Sequence, residues 1–417
     1  MIKIILVAIF SLTASAFQVQ QVTNVVGAVE KLILDSHKWN CSLYNYEAGD
    51  YYRYYKIDAG RNVVLQVNFT MIYDMVINSQ DDVYIFASDQ VDSISLVKAN
   101  STELQTVFKY PSKGYLTGEA FVDNEDNILF NTRDGIVMLK FGDIFPVAIK
   151  YLEGYKFRRT STAVDNDGNI YLAKILEEGN SQIVVITSER KNLQVPYAEV
   201  IDELYDPEMK KKVHELGTDV YGNILISVQY FDYNGTVLMI KNGTIDTIIS
   251  QNDLRHYNFH VAGNRTYFLA GNPDLSAIDF ICYLYYIDMN GTLNKIGRTF
   301  DADTWLSRRE IMSDEYGTLF FVTNYNEVLM LSQNETEVKS LFKSTDSDVL
   351  NFYVESSDTV WAITTDDTYW RIPTAPGFGA VGYSGRRITV ITAMEKHFVG
   401  EIYIGSWDGL FVLNNEF

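Results

Sequence analysis

The stretch AVDNDGNIYLAK, Ala163 to Lys174, decides the fold. A short apolar run enters a turn made of Asp165, Asn166, Asp167 and Gly168. A second run leaves that turn with β-branched and aromatic residues in alternation, the pattern of a half-buried antiparallel hairpin. The phrase returns as AFVDNEDNILFNT from Ala120, GTDVYGNILISV from Gly217 and MSDEYGTLFFVT from Met312. Looser copies are MVINSQDDVYIFAS from Met75, HVAGNRTYFLAG from His260, YVESSDTVWAIT from Tyr353 and EKHFVGEIYIGSW from Glu395. The outgoing strands start near Asp82, Asn127, Asn169, Asn223, Arg265, Thr318, Thr359 and Glu401. Their spacing, mostly about 40–45 residues, is that of a β-propeller blade.

Within the copy at Ala163, four strands are expected: Ala163–Asp165, Ile170–Ile175, Ile183–Thr187 and Leu193–Tyr197. The expected fold is therefore all-β, a propeller of about eight four-stranded antiparallel blades, with seven to nine allowed. Pairing of N- and C-terminal strands would close the ring. Residues Glu30–Leu34 could supply the closing outer strand to a last blade that ends at Phe417. Alternatively, Trp39–Tyr46, Tyr51–Ile57 and Val63–Val67 form a degenerate blade of their own. Two longer gaps hold inserts. Asp206-Pro207-Glu208, followed by Lys210 to Lys212, reads as a capped helix running to Leu216. The second insert, Ile296 to Glu310, contains Trp305 and Arg308-Arg309. No linker composition interrupts residues 17–417, which read as one propeller domain.

Residues 1–16 read as a secretory signal: Lys3, an apolar run from Ile4 to Leu12, then Ala14-Ser15-Ala16. The run is shorter than the roughly 20 residues that a membrane span requires. A secreted, extracellular, soluble glycoprotein is the expectation. Sequons at Asn100, Asn234, Asn242, Asn264, Asn290 and Asn334 agree with it, while Asn40 and Asn68 lie closer to apolar strand residues. The net charge of −20 repels phosphate backbones and anionic lipid heads, so nucleic acid is not an expected partner; no later segment is long and apolar enough to anchor the chain in a membrane. Cys41 and Cys282 fall in different repeats; bridged, they would be worth roughly 5 kcal/mol on a chain-entropy estimate.

Catalytic constellations are missing. There is no phosphate-cradling glycine loop, Gly-x-Ser-x-Gly elbow or His-Glu-x-x-His. His256 and His260 on one strand would stand about 13 Å apart, too far for one metal. No cofactor and no metal site is assigned. The recurring Asp123, Asp165, Asp219 and Asp314 could bind calcium, but an Asx-turn repeated in blade after blade explains them without an ion. A second recurrence concerns binding. Arg158-Arg159, Lys212, Arg255, Arg308-Arg309 and Arg386-Arg387 precede the first strands of their repeats. Equivalent loops of a propeller share one face, so these groups would ring one mouth of the channel and attract an anion. Arg159, Arg255 and Arg309 are the candidate charges, with Trp305 and Trp407 as stacking partners; the alternative is that each arginine cements a neighbouring blade.

NILFNTRDGIVMLKF (Asn127–Phe141) and EIYIGSWDGLFVLN (Glu401–Asn414) resemble the ommochrome-binding proteins. These are secreted insect propellers loosely related to the yellow, royal-jelly and regucalcin-like groups. The resemblance implies a haemolymph carrier of a small aromatic, acidic pigment or metabolite, a binding protein rather than an enzyme. The chain is long for that family and lacks its cysteine-bearing N-terminal segment beyond Cys41, so no family binding residue transfers by position. Two rivals remain from other classes. One is a divalent-metal-dependent lactonase or hydrolase of the regucalcin type, and the other is a protein-binding extracellular propeller.

Overall fold

The computed structural model describes residues 17–21, 28–34, 41–47, 51–58, 61–158, 161–175, 181–202, 211–230, 235–241, 243–251, 255–272, 281–288, 292–301, 311–323, 326–333, 335–375, 379–384, 391–396, 402–406 and 409–415. Residues 1–16, expected to be a secretory signal, lie outside them. The described residues form nine four-stranded antiparallel sheets, eight of them in sequential order from first strand to fourth. In chain order the blades are I (Ala28–Phe69), II (Met71–Lys109), III (Leu116–Glu153), IV (Thr162–Asp202), V (Lys211–Gln251), VI (Arg255–Asp301), VII (Ile311–Lys343) and VIII (Val349–Ser384). Blade IX takes three strands from Ile391–Asn415 and its outermost from Phe17–Gln21.

The ring closes. Each pair of successive blades shares one apolar cluster, and the ninth joins blade IX back to blade I through Leu43, Tyr55, Tyr403 and Val412. An open array of nine sheets would show eight such seams. The alternation read from the sequence feeds both neighbours at once. In the second strand of blade VII, Leu319 and Phe321 pack toward blade VI, while Phe320 and Val322 pack toward blade VIII. A second strand buried on both faces reads as a near-continuous apolar run, which is why these strands carried the repeat.

Nine blades is the upper end of the expected range. The alternative reading of the N-terminal region is the one realised: Ala28–Leu34, Cys41–Glu47, Tyr51–Ile57 and Val63–Phe69 make blade I. Glu30–Leu34 is thus an inner strand and not the closing one. Phe17–Gln21 closes the ring, with Phe17 opposite Asn415 and Gln21 opposite Phe411. Two local expectations fail. Lys211–Thr218 is the inner strand of blade V, laddered from Lys211↔Tyr230 to Thr218↔Ile224, not the end of a helix. Ladder pairing with an adjacent apolar strand overrides the local capping pattern; Asp206 to Lys210 lie outside the described residues. In blade IV the fourth strand is Glu199–Asp202 rather than Leu193–Tyr197, because a one-turn helix, Ser188–Lys191, intervenes.

Cys41 falls in blade I and Cys282 in blade VI, blades that share no seam. A bridge needs Cα atoms within about 7 Å, and the ring keeps these strands apart. Among the described residues no helix is long and apolar enough to cross a membrane.

Candidate functional site

The turns between first and second strands lie on one end of the ring, and their repeated carboxylate has a local role. Asp123 Oδ1 accepts from the backbone N–H groups of Glu125 and Asn127, both at 2.9 Å, and Oδ2 accepts from Asn127 Nδ2 at 3.0 Å. Asp165 and Asp219 repeat this pattern through Asn169 and Asn223, and Asp314 does so through Tyr316 and Thr318. The fourth turn residue has a left-handed backbone, φ +64° at Asp126 and +78° to +83° at Gly168, Gly222 and Gly317. This is a three-residue hairpin loop with a bulge, closed by an Asx-turn. Among the described residues no group of three His, Cys, Asp or Glu side chains could hold a metal ion.

Neighbouring turns are tied together on this face. Ser79 N–H and Oγ donate to Asp126, and Asn166 Nδ2 donates to the Tyr221 carbonyl at 2.8 Å. Lys191 is fully buried between blades III and IV, donating to Asp123 Oδ2 at 2.9 Å and the Gly168 carbonyl at 3.0 Å, with Glu125 Oε1 at 3.0 Å. Its neighbour Arg190 faces the other seam, where it pairs with Glu199 and lies 4.9 Å over the Tyr197 ring. There a groove of about 430 Å³ opens between blades IV and V, walled by Asp167, Arg190, Glu199, Ile201, Tyr221 and Asn223. Tyr171 closes its inner end, donating to Asp165 Oδ2 at 3.0 Å; burial, then the Asp165 charge, hold its phenol well above the ordinary value.

The axial channel is lined by the nine first strands. In blades I, II, III, V, VI, VIII and IX this strand carries a register shift against its partner. Such bulges re-aim side chains. On blades I to III the shifts bring three strands to one carboxylate. Asp74, buried, accepts from Lys31 Nζ at 2.6 Å and from the N–H groups of Met75 and Ala120 at 2.8 Å each. Beside it lies a recess of about 250 Å³ bounded by Lys31, Ile33, Met75, Ile77, Ala120 and Val122. A recess touched by the first strands of three successive blades opens on the axis. Across blades VI and VII, His260 Nε2 lies 3.1 Å from Ser313 Oγ, and burial lowers the imidazole pKa.

The opposite end of the ring carries the loops that lead into the first strands. Of the five candidate ligand residues, Arg159, Arg309, Trp305 and Trp407 lie outside the described residues. Arg255 is described in its backbone only, as the first residue of blade VI opposite Gly271. Arg158 is exposed on this face. A cation that sequence reasoning missed is also here. Arg133, 48 % exposed at the tip of the Thr132–Gly135 hairpin, sits 3.7 Å over the Tyr115 ring. Tyr115 stacks in turn on Tyr110, with centroids 5.0 Å apart and planes 16° apart. Burial first, then the Asp92 charge, raise the Tyr110 pKa. Arg133 falls after a second strand instead of before a first one, outside the recurrence that was followed.

Of the sequons, Asn100 is exposed in the turn after Asp92–Val97, and Asn264 is exposed with its Oδ1 accepting from Gln333 Nε2 at 3.1 Å. Asn68, set aside for its apolar neighbours, is exposed on the outermost strand of blade I. Asn40, Asn234, Asn242, Asn290 and Asn334 lie outside the described residues.

No family model matches the sequence, and no curated protein does. Solved structures do. The Dos1 propeller aligns over 96 % of this chain and 95 % of its own, at 8 % identity and a TM-score of 0.50. The WD40 domain of SCAP from fission yeast aligns over 96 % and 94 %, at 10 % identity and 0.50. These likenesses show the propeller fold alone.

Proposed function

We propose that this chain is an exported, non-enzymatic binding protein that holds a small aromatic, acidic ligand at the mouth of its channel. The carrying observation is the Arg133–Tyr115–Tyr110 stack, formed between the loop that leads into the first strand of blade III and the hairpin joining that blade's second and third strands. It offers a planar guanidinium for a carboxylate beside ring faces for an aromatic system. The apolar recess beside Lys31 lies further along the same axis, and Asp74 fixes its three strands before any ligand arrives. Apolar walls with few orienting polar groups are the usual make-up of small-molecule sites. Arg159, Arg255 and Arg309 complete the charge on this reading, with Trp305 and Trp407 as further ring faces. The ligand class is the one implied by the resemblance of Asn127–Phe141 and Glu401–Asn414 to ommochrome-binding proteins.

The test is a visible-absorbance titration of the purified protein with an ommochrome pigment. Arg133→Ala alone should weaken binding about tenfold, the scale of one charge-assisted hydrogen-bonded contact. Arg159→Ala, Arg255→Ala and Arg309→Ala combined should remove most of what remains. Unchanged affinity in both proteins would discard the mouth as the site.

A further inference from the structure

The groove between blades IV and V takes no part in that reading, and its composition is selective. Three carboxylates border it, Asp165, Asp167 and Glu199, so an anion is repelled. Arg190 offsets Glu199 by pairing with it, and among the described residues no three acids converge to hold a metal ion. Asp165 has its oxygens filled by four donors of its own blade, leaving Asp167, exposed, to look outward. The remaining rim mixes amide and guanidinium donors with carboxylate acceptors, around a tyrosine that is 40 % exposed, Tyr221. Beneath lies the apolar end of the IV–V core, where Tyr171, Val185 and Ile240 reach the groove. Neutral charge, hydroxyls that donate and accept in adjacent pairs, and one apolar face describe a pyranose sugar.

We infer that this groove is a sugar-binding site for one or two pyranose units, of N-acetylglucosamine type in the first instance. A source of such sugar stands beside it in the sequence. Gly243 lines the groove and is the middle residue of the sequon Asn242-Gly243-Thr244. The sequon hydroxyl, Thr244 Oγ1, is already turned back onto the Lys241 carbonyl at 2.7 Å. Asn242 directly precedes Gly243 in the chain, so a glycan there would be tethered one residue from the groove lining. The groove can equally take the end of a separate oligosaccharide. The tethered source rests on export of the chain; the groove chemistry does not.

Two measurements separate these cases. Protein made without glycans is titrated calorimetrically with N,N′-diacetylchitobiose and, for comparison, with sodium acetate. Binding of chitobiose alone, weakened at least about tenfold by Asp167→Ala and by Tyr221→Ala, supports the site. Both replaced side chains are exposed at the rim, and circular dichroism checks that each variant is folded. Protein secreted from eukaryotic cells is then digested with an endoglycosidase under native conditions, with release followed site by site. Slower release at Asn242 than at Asn100, abolished when Ile201→Trp fills the groove, assigns the tethered source. No chitobiose binding together with equal release at both sites overturns the inference. Absence of glycan from every sequon would instead count against export, and the first measurement would still decide the groove.

Discussion

The two seams of blade IV are built from adjacent residues and end up opposite in character. Toward blade III, Lys191 enters the turn face completely, and three oxygens from two blades close over its ammonium. Toward blade V, Arg190 stays partly in water, shares its charge with Glu199, and leaves a groove where the fourth strand starts late. The same one-turn helix presents both. One seam has exchanged solvent for a fixed ion pair, and the other has kept solvent and, with it, room for a ligand. A buried ion pair is a poor source of net stability but a strict demand on its partner, because desolvation has to be matched by every oxygen in place.

That contrast can be broken by mutation. Lys191→Ala leaves Asp123 buried without its ammonium, and breaking such a pair costs about 3–5 kcal/mol. Urea unfolding should show a loss of that size; a change under about 1 kcal/mol would mean that water reaches the seam. A third seam sharpens the comparison through pH. His260, between blades VI and VII, has its pKa lowered by burial, so the unfolded chain binds the proton first. Stability should be full above the ordinary histidine value, fall as pH drops through that value toward the folded pKa, and then level off. His260→Gln should flatten this step in thermal melts across the same window, and an unaltered step would assign it to other groups. Arg190→Ala should have the smallest effect, under about 1 kcal/mol, as for other ion pairs in contact with water.

The parts of this design that the sequence discloses are those that repeat locally. Asp123, Asp165, Asp219 and Asp314 accept from residues two and four positions further on, so their turns can be read from a dozen letters. Blade I is harder to read, because the sequence between its paired Leu34 and Cys41 lacks that Asp-turn phrase. The closing strand FQVQQ is short and polar, and only its partner at Phe411–Asn415 gives it a place. Lys191 was invisible because Asp123 lies 68 residues away, and a buried lysine looks like any helix-end lysine in the primary structure. Of the five mouth residues expected from the sequence, Arg255 alone lies among the described residues, and Arg133 emerges from a stack between two loops that no periodicity links.

Phe17 facing Asn415 has a consequence during synthesis. A ribosome delivers one half of that ladder before blade I and the other only after blade VIII. Throughout elongation the early segment waits without a mate, and when blade IX finally emerges its Gly409–Asn415 strand shows a naked edge until the two meet. Every nascent molecule therefore passes through an interval in which the same strand of a neighbouring polypeptide could insert in place of its own Phe17–Gln21, and crowding of such chains should favour swapped dimers.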